Sequence, residues 1–233
     1  PDPATLLAAA NPLVAESPHL AAPALAATGY GQAPGAFEAL PLWRQWLWRL
    51  LMPRLYERIR MGLHQGARTT GDGWSRTPPG IGTADAPDTL RAAVALAGLG
   101  ALPADEAVYW SAVIDSRGNE LSGARAYRLT IPADVPARAF WSLSMYERLP
   151  DGRLFYVDNP IARYAVGDRV PDLARNPDGS LTLTIAARDP GPGSNWLPAP
   201  AGKAFTLIFR AYLPEEPILS GRWRLPPVEP LTP

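Results

Sequence analysis

Few side chains in this sequence could do chemistry, and their types narrow what that chemistry could be. There is no cysteine, which excludes disulfides, thiolate nucleophiles and cysteine metal sites. The only histidines are His19 and His64, both in the N-terminal third, which excludes a multi-histidine metal cage or a Ser/His/Asp triad within the C-terminal half. What remains is carboxylate, phenol and guanidinium. Arg210 and Tyr212 stand two residues apart in an alternating run, so they share one face of a strand, and Tyr146 and Tyr127 approach them if their strands are neighbours. A guanidinium flanked by phenols can grip a carboxylate or phosphate in a bidentate fork. It can equally lock two strands by an ion pair to Asp85 or Glu147, which is the preferred reading because buried arginines generally need an acid.

The carboxylates open to acid–base work are Asp85, Asp105, Glu106, Asp115, Glu147 and Asp178. Two of them converging beside Tyr146 would support glycoside hydrolysis or elimination, so Asp85, Glu106, Glu147 and Tyr146 are the catalytic candidates. The competing reading is local: Asp115, Asp151 and Asp178 sit in turn sequences and predict Asx turns, and Asp85 predicts a helix N-cap. His64 follows an amphipathic helix, where a solvated role is preferred over catalysis. Ser142, Ser144 and Ser194 lack a neighbouring base and the glycine-flanked elbow pattern, and Gly71-Asp72-Gly73 lacks the lysine and helix of a phosphate loop.

Asn195 and Trp196 lie in the stiff loop Pro190-Gly191-Pro192-Gly193-Ser194-Asn195-Trp196-Leu197-Pro198-Ala199-Pro200. An indole held there, with an amide beside it, can stack on a sugar and bond its hydroxyls. The alternative, and the preferred one, is that Trp196 plugs the end of the domain while Asn195 satisfies loop carbonyls.

These groups must be positioned by the elements around them. From Ala107 the apolar period becomes two, and it predicts strands at 107–114, 125–131, 139–146, 154–157, 181–187, 204–212 and 222–225. Turns are expected at Asp115-Ser116-Arg117-Gly118, Pro150-Asp151-Gly152 and Asn176-Pro177-Asp178-Gly179. Ahead of them, Pro87 and the small apolar run from Leu90 to Ala97 predict a buried helix over 86–97, capped by Asp85. Leu40 to His64 predicts a helix that Pro53 kinks or splits, its Trp/Leu stripe facing the core or, alternatively, a partner or membrane surface. Residues 1–38, rich in alanine and proline, predict short helices joined by turns, and 68–73 a polar break.

Basic and acidic residues balance at 22 each, so no global field attracts nucleic acid or an anionic surface. With 47% hydrophobic and 19% charged residues and no run apolar enough to span a bilayer, the chain reads as a soluble protein without a transmembrane segment. It opens at Pro1 without a leader pattern, as expected of a mature or trimmed product.

In order, Gly73-Trp74, Gly82-Thr83-Ala84-Asp85 with Arg91-Ala92, Gly98-Leu99-Gly100-Ala101, Ala107-Val108-Tyr109, Leu121-Ser122-Gly123, Tyr127, Trp141-Ser142, Asn176-Pro177-Asp178-Gly179-Ser180, Asn195-Trp196-Leu197-Pro198 and Arg210-Ala211-Tyr212 form a series. It resembles the bacterial domain of unknown function 1214 from about Trp74 to Pro227. The segment before it is similar to the end of domain of unknown function 1254 in two-domain members. The resemblance implies a jelly-roll-like β domain preceded by helices, a periplasmic or secreted setting, and a short member or fragment, since a complete first β domain has no room; it implies a fold and no reaction.

The sequence therefore predicts an α+β protein: an antiparallel β-sandwich at 107–233, a linker and buried helix at 71–106, and a helical segment at 1–70, packed as one unit. Its expected role is a binding or structural module for a small, carbohydrate-like ligand, with Asn195, Trp196, Arg210 and Tyr212 as binding residues. The alternative is a metal-free enzyme acting on a carbohydrate or polyol. No cofactor or nucleic-acid partner is expected, and the 40–64 helix is the candidate surface for a homo-oligomer.

Overall fold

The computed structural model describes residues 2–17, 22–66, 68–69 and 72–231, with the side chains of 60–66, 68–69 and 97 excepted. His19 and the His64 side chain lie outside that set, as do Thr70 and Gly71 of the expected polar break. The chain divides into two compact units, Pro1–His64 and Gln65–Pro233.

The first unit is helical. Helix α1 (Pro3–Glu16) starts where the Asp2 carboxylate accepts the Thr5 amide at 2.9 Å, with proline in the first turn where no backbone donor is lost. A 3₁₀ turn (Pro23–Thr28) ends at Gly29, whose φ of 90° is the left-handed conformation glycine favours. Buried Asn11 ties this turn to α1, its amide donating to the Gly29 carbonyl at 3.0 Å and its oxygen accepting the Gly31 amide at 2.9 Å. Helix α2 (Leu42–Gly66) runs through Pro53 as one element.

The second unit is the expected sandwich. One sheet runs β1 (Arg68–Thr69), β2 (Trp74–Arg76), β3 (Ala107–Ala112), β10 (Phe205–Pro214), β5 (Ala137–Arg148) and β6 (Leu154–Phe155), with β7 (Ala165–Gly167) also pairing β5. The other runs β11 (Glu229–Pro230), β4 (Tyr127–Ile131), β8 (Leu181–Ala186) and β9 (Asn195–Pro198). All pairings are antiparallel except β8 with β9. The inner faces interdigitate through Trp110, Trp141, Leu143, Leu207 and Phe209 from the first sheet and Tyr127, Leu129, Leu183, Ile185 and Leu197 from the second. Trp110 stands edge-on to Phe209 at 5.8 Å, and Trp141 stacks on Phe209 at 5.4 Å.

Several elements differ from expectation for identifiable reasons. Strand β9 lies in the proline-rich stretch read as a loop: it is an edge strand, where Pro198 forfeits no ladder bond. The strand expected at 222–225 is irregular, and its place as the last strand goes to β11. Helix α3 (Asp88–Ala97) begins three residues after Asp85, with Pro87 in the cap position and no side-chain cap. It is one-sided rather than buried all round: Ala93 is buried, Leu96 is 39% exposed, and Arg91 pairs with Asp88 across one turn at 3.8 Å. A one-turn helix, α4 (Glu216–Leu219), follows β10.

Candidate functional site

The register of β5 against β10 decides which side chains meet. Tyr146 lies opposite Thr206, Ser144 opposite Ile208, Ser142 opposite Arg210 and Phe140 opposite Tyr212. Phe205, Leu207, Phe209 and Ala211 are fully buried in the sandwich, so by the two-residue period their alternates occupy the outer face. There Arg210 reaches along the strands, Nη1 donating to Ser144 Oγ at 3.0 Å and Nη2 to the Tyr146 hydroxyl at 3.1 Å. The Tyr146 and Tyr156 hydroxyls share a hydrogen bond of 3.0 Å, with the rings stacked at 4.6 Å. Tyr164 extends the row, 5.3 Å from Tyr156 and donating to Asp158 Oδ1 at 3.3 Å. Ser144 and Thr206 are buried beside this row, and Thr206 Oγ1 has no hydrogen-bond partner.

The electrostatics are unusual for a half-buried arginine. Among the described residues no carboxylate pairs with Arg210; Glu147, one of the two acids expected to do so, is held by Lys203 at 2.8 Å, and the other, Asp85, is exposed. The charge falls instead on the phenols. Burial alone would raise the Tyr146 phenol, but the hydrogen bond with Tyr156, the Arg210 charge and Ser144 together hold it below its ordinary value. Burial pushes Tyr156 up, and the hydrogen bond to Tyr146 and the charge Tyr146 would carry push it further. Two phenols in contact are thus driven apart: Tyr146 is the readier to lose a proton, Tyr156 the readier to keep one. A guanidinium flanked by phenol hydroxyls can bind a carboxylate flanked by hydroxyls without a metal. Among the described residues, no cluster of three or more His, Asp or Glu could hold one.

The other sequence-predicted residues are placed elsewhere. Tyr212 stacks on Phe140 at 4.3 Å, with the Arg169 guanidinium 4.4 Å from the Phe140 ring centre. Tyr127 belongs to the other sheet, fully buried, its hydroxyl accepting the Ser122 amide at 3.0 Å and Arg125 Nε at 3.2 Å. Asn195 is buried: its oxygen accepts the Ala174 amide at 2.8 Å and its nitrogen donates to the carbonyls of Ala174 and Thr182 at 2.7 and 2.9 Å. Trp196 is 6% exposed, and its indole nitrogen donates to the Ala186 carbonyl at 2.8 Å. Neither offers a free polar group. Asp115, Asp151 and Asp178 each accept the backbone amide two residues on, as Asx turns do. Glu106 is exposed next to the end of β10, its carbonyl accepting the Leu213 amide, whereas Glu147 lies opposite Phe205 at the start of that strand. Eight residues of strand separate them, about 25 Å, so the two cannot act on one substrate atom.

Tyr156, Ser144 and Thr206 are the members that sequence reasoning missed, Ser144 having been weighed only as a nucleophile. A signal for Tyr156 exists. The tight turn at Asp151-Gly152 sets a hairpin in which Glu147 pairs with Phe155 and Arg148 with Leu154; one step further brings Tyr156 to Tyr146.

The comparisons bear on the same span. Residues 106–216 match the family described as protein of unknown function (DUF1214). The DUF1214 segment runs from the start of β3 into α4 and so contains Ser144, Tyr146, Tyr156, Thr206 and Arg210. The chain is similar to the crystal structure of a Vibrio parahaemolyticus protein, with 26% identity and a TM-score of 0.55 over 78% of this chain and 42% of that one. A crystal structure of an uncharacterized Burkholderia cenocepacia protein aligns at 19% identity and a TM-score of 0.39, covering 82% of this chain and 43% of that one. The chain thus spans less than half the length of either. No curated protein matches it.

Proposed function

We propose that the DUF1214 segment is a binding module for a small ligand that carries a carboxylate among hydroxyls, such as an acidic sugar, seated on the outer face of β5 and β10. One observation carries this reading: the Arg210 guanidinium is held in place by Ser144 and Tyr146 while, among the described residues, no carboxylate neutralises it. Fixing an arginine by neutral hydroxyls leaves its charge available to a ligand, and Tyr156, 54% exposed, supplies a ring and a hydroxyl at the open side. Carbohydrate-like chemistry follows from the donor set, since phenol and serine hydroxyls match vicinal hydroxyl groups and a tyrosine ring matches a pyranose face. The stretch before Trp74 is read, on its resemblance, as the end of a domain of unknown function 1254, which would make this chain the C-terminal part of a two-domain arrangement.

The test is calorimetric titration of the full chain with glucuronate, glucose and glucuronamide. Glucuronate should bind and the two neutral sugars should bind at least tenfold more weakly, because a charge-assisted hydrogen bond contributes about 1.5–3 kcal/mol. Arg210→Gln should remove that difference. Equal binding of all three sugars, or wild-type affinity in the variant, would sink the assignment.

A second reading rests on the oppositely driven phenols. Tyr146 as base and Tyr156 as acid could transfer protons on the same ligand, giving a metal-free enzyme acting on a polyol. In that case Tyr146→Phe and Tyr156→Phe would each abolish turnover even at saturating ligand; with binding alone, neither variant would have turnover to lose.

A further inference from the structure

Helix α2 is turned inside out. One side of its first three turns spends its polar groups on the backbone of its own unit. Arg44 Nη1 donates to the Ala27 carbonyl at 2.7 Å, Gln45 to the Glu38 and Leu40 carbonyls at 3.2 and 2.9 Å, and the Trp48 indole to the Thr28 carbonyl at 2.9 Å. The Arg49 guanidinium lies 5.0 Å from the Phe37 ring centre. The opposite side carries Leu42, Trp43, Trp46, Leu47, Leu50 and Leu51, at the spacing that puts residues on one helical face. Leu42 is 82% exposed, Trp43 59%, Trp46 60% and Leu51 45%. Single exposed apolar residues need no explanation; a contiguous patch of tryptophan and leucine marks a surface that something covers.

Charge indicates what covers it. Along this face and the turns that follow, Arg54 and Arg58 are exposed, and Glu57 is the one acid between Leu42 and Ile59. That is a local excess in a chain whose charges balance overall at 22 against 22. A second copy laid on the same face would bring the arginines of both copies to one seam. An anionic lipid surface accepts both features: tryptophan settles at headgroup level and arginine pairs with lipid phosphate. Among the described residues no helix is long and apolar enough to cross a membrane, so the geometry is that of a helix lying in the interface.

We propose that α2 rests on an anionic lipid surface, with Trp43 and Trp46 at headgroup depth and Arg54 and Arg58 on the phosphates. The experiment is co-sedimentation of the full chain with vesicles of phosphatidylcholine alone and of phosphatidylcholine mixed with phosphatidylglycerol, read together with tryptophan emission. The chain should partition into the anionic vesicles with a blue-shifted emission, and less so at high salt. Trp43→Ser with Trp46→Ser should weaken partitioning at least tenfold without altering the circular dichroism, since both side chains are exposed. Arg54→Gln with Arg58→Gln should reduce the preference for anionic over neutral vesicles by about fivefold per arginine. The proposal is overturned if the wild-type chain partitions into neither vesicle, or if the paired serine substitutions leave partitioning unchanged. A wild-type dimer in light scattering that those substitutions dissociate would overturn it too, assigning the face to a second copy.

Discussion

Truncating Trp196 to alanine measures what the indole does in this fold. The side chain is 6% exposed on edge strand β9, which pairs only with β8. A tryptophan buries some 150–250 Å² of surface, so at about 25 cal/mol per Å² its transfer contributes at most roughly 4–6 kcal/mol. Removing the indole also removes its bond to the Ala186 carbonyl, but that oxygen keeps the Ala199 amide at 2.9 Å and is not orphaned. The hydrogen-bond loss is therefore near the net value of about 1 kcal/mol rather than the full desolvation penalty. Partial collapse of the edge recovers some of the cavity cost, and the expected loss is about 4 kcal/mol. Followed by far-ultraviolet circular dichroism, this should lower the melting temperature of the sandwich by roughly 8–16 °C. Trp196→Phe retains most of the apolar surface and should recover more than half of the loss. If Trp196→Ala instead stays within about 1 kcal/mol of wild type while sugar binding disappears, the indole serves a ligand and not the core, and the reasoning from burial fails.

Two further outcomes follow from the geometry. Ultraviolet titration of the tyrosines should show a first phenol ionising below the ordinary value of about 10 and another above it; Tyr156→Phe or Arg210→Gln should move the first back up. The lowered phenol stabilises the fold at high pH and loses that contribution as pH falls through its folded value, while the raised phenol does the reverse, so their effects on stability oppose one another. Gly123→Ala should destabilise the sandwich by several kcal/mol in urea unfolding, because a Cβ there would stand 1.9 Å from the Pro200 carbonyl oxygen, and backbone cannot yield as a flexible side chain can. Unchanged stability in that variant would mean that the Gly123 backbone does not lie against Pro200.

The sandwich was legible because its central strands obey a two-residue period under strong burial: β3, β4, β8 and β10 appear within two residues of expectation at each end. What escaped were pieces too short to show a period, such as β2 at Trp74–Arg76, and an edge strand disguised by proline, β9. Helix α2 shows a different limit. Its Trp/Leu stripe reads as a core face because amphipathicity reveals that two sides differ without saying which side the protein uses. Here carbonyls left unpaired by the turn at 23–28 and by the 38–40 segment recruit Arg44, Gln45 and Trp48, and that recruitment turns the apolar side outward.

The same distinction separates the parts of the candidate site that could be read from those that could not. Arg210 and Tyr146 are visible as chemistry because guanidinium and phenol stand out in an apolar strand, but their meeting depends on register. Placing Arg210 two rungs further along β10 would put its head beyond the reach of Tyr146, and shifting β5 by one residue would turn Tyr146 into the sandwich and expose Met145. Register here is fixed by burial: Trp141, Leu143 and Met145 must face Tyr127, Leu129 and the rest of the second sheet, which leaves Ser142, Ser144 and Tyr146 no side but the outer one. The hydrophobic core thus selects which polar groups share a surface. The hairpin at Asp151-Gly152 then adds Tyr156 to them, because the turn that closes it sets Phe155 against Glu147 and leaves Tyr156 beside Tyr146.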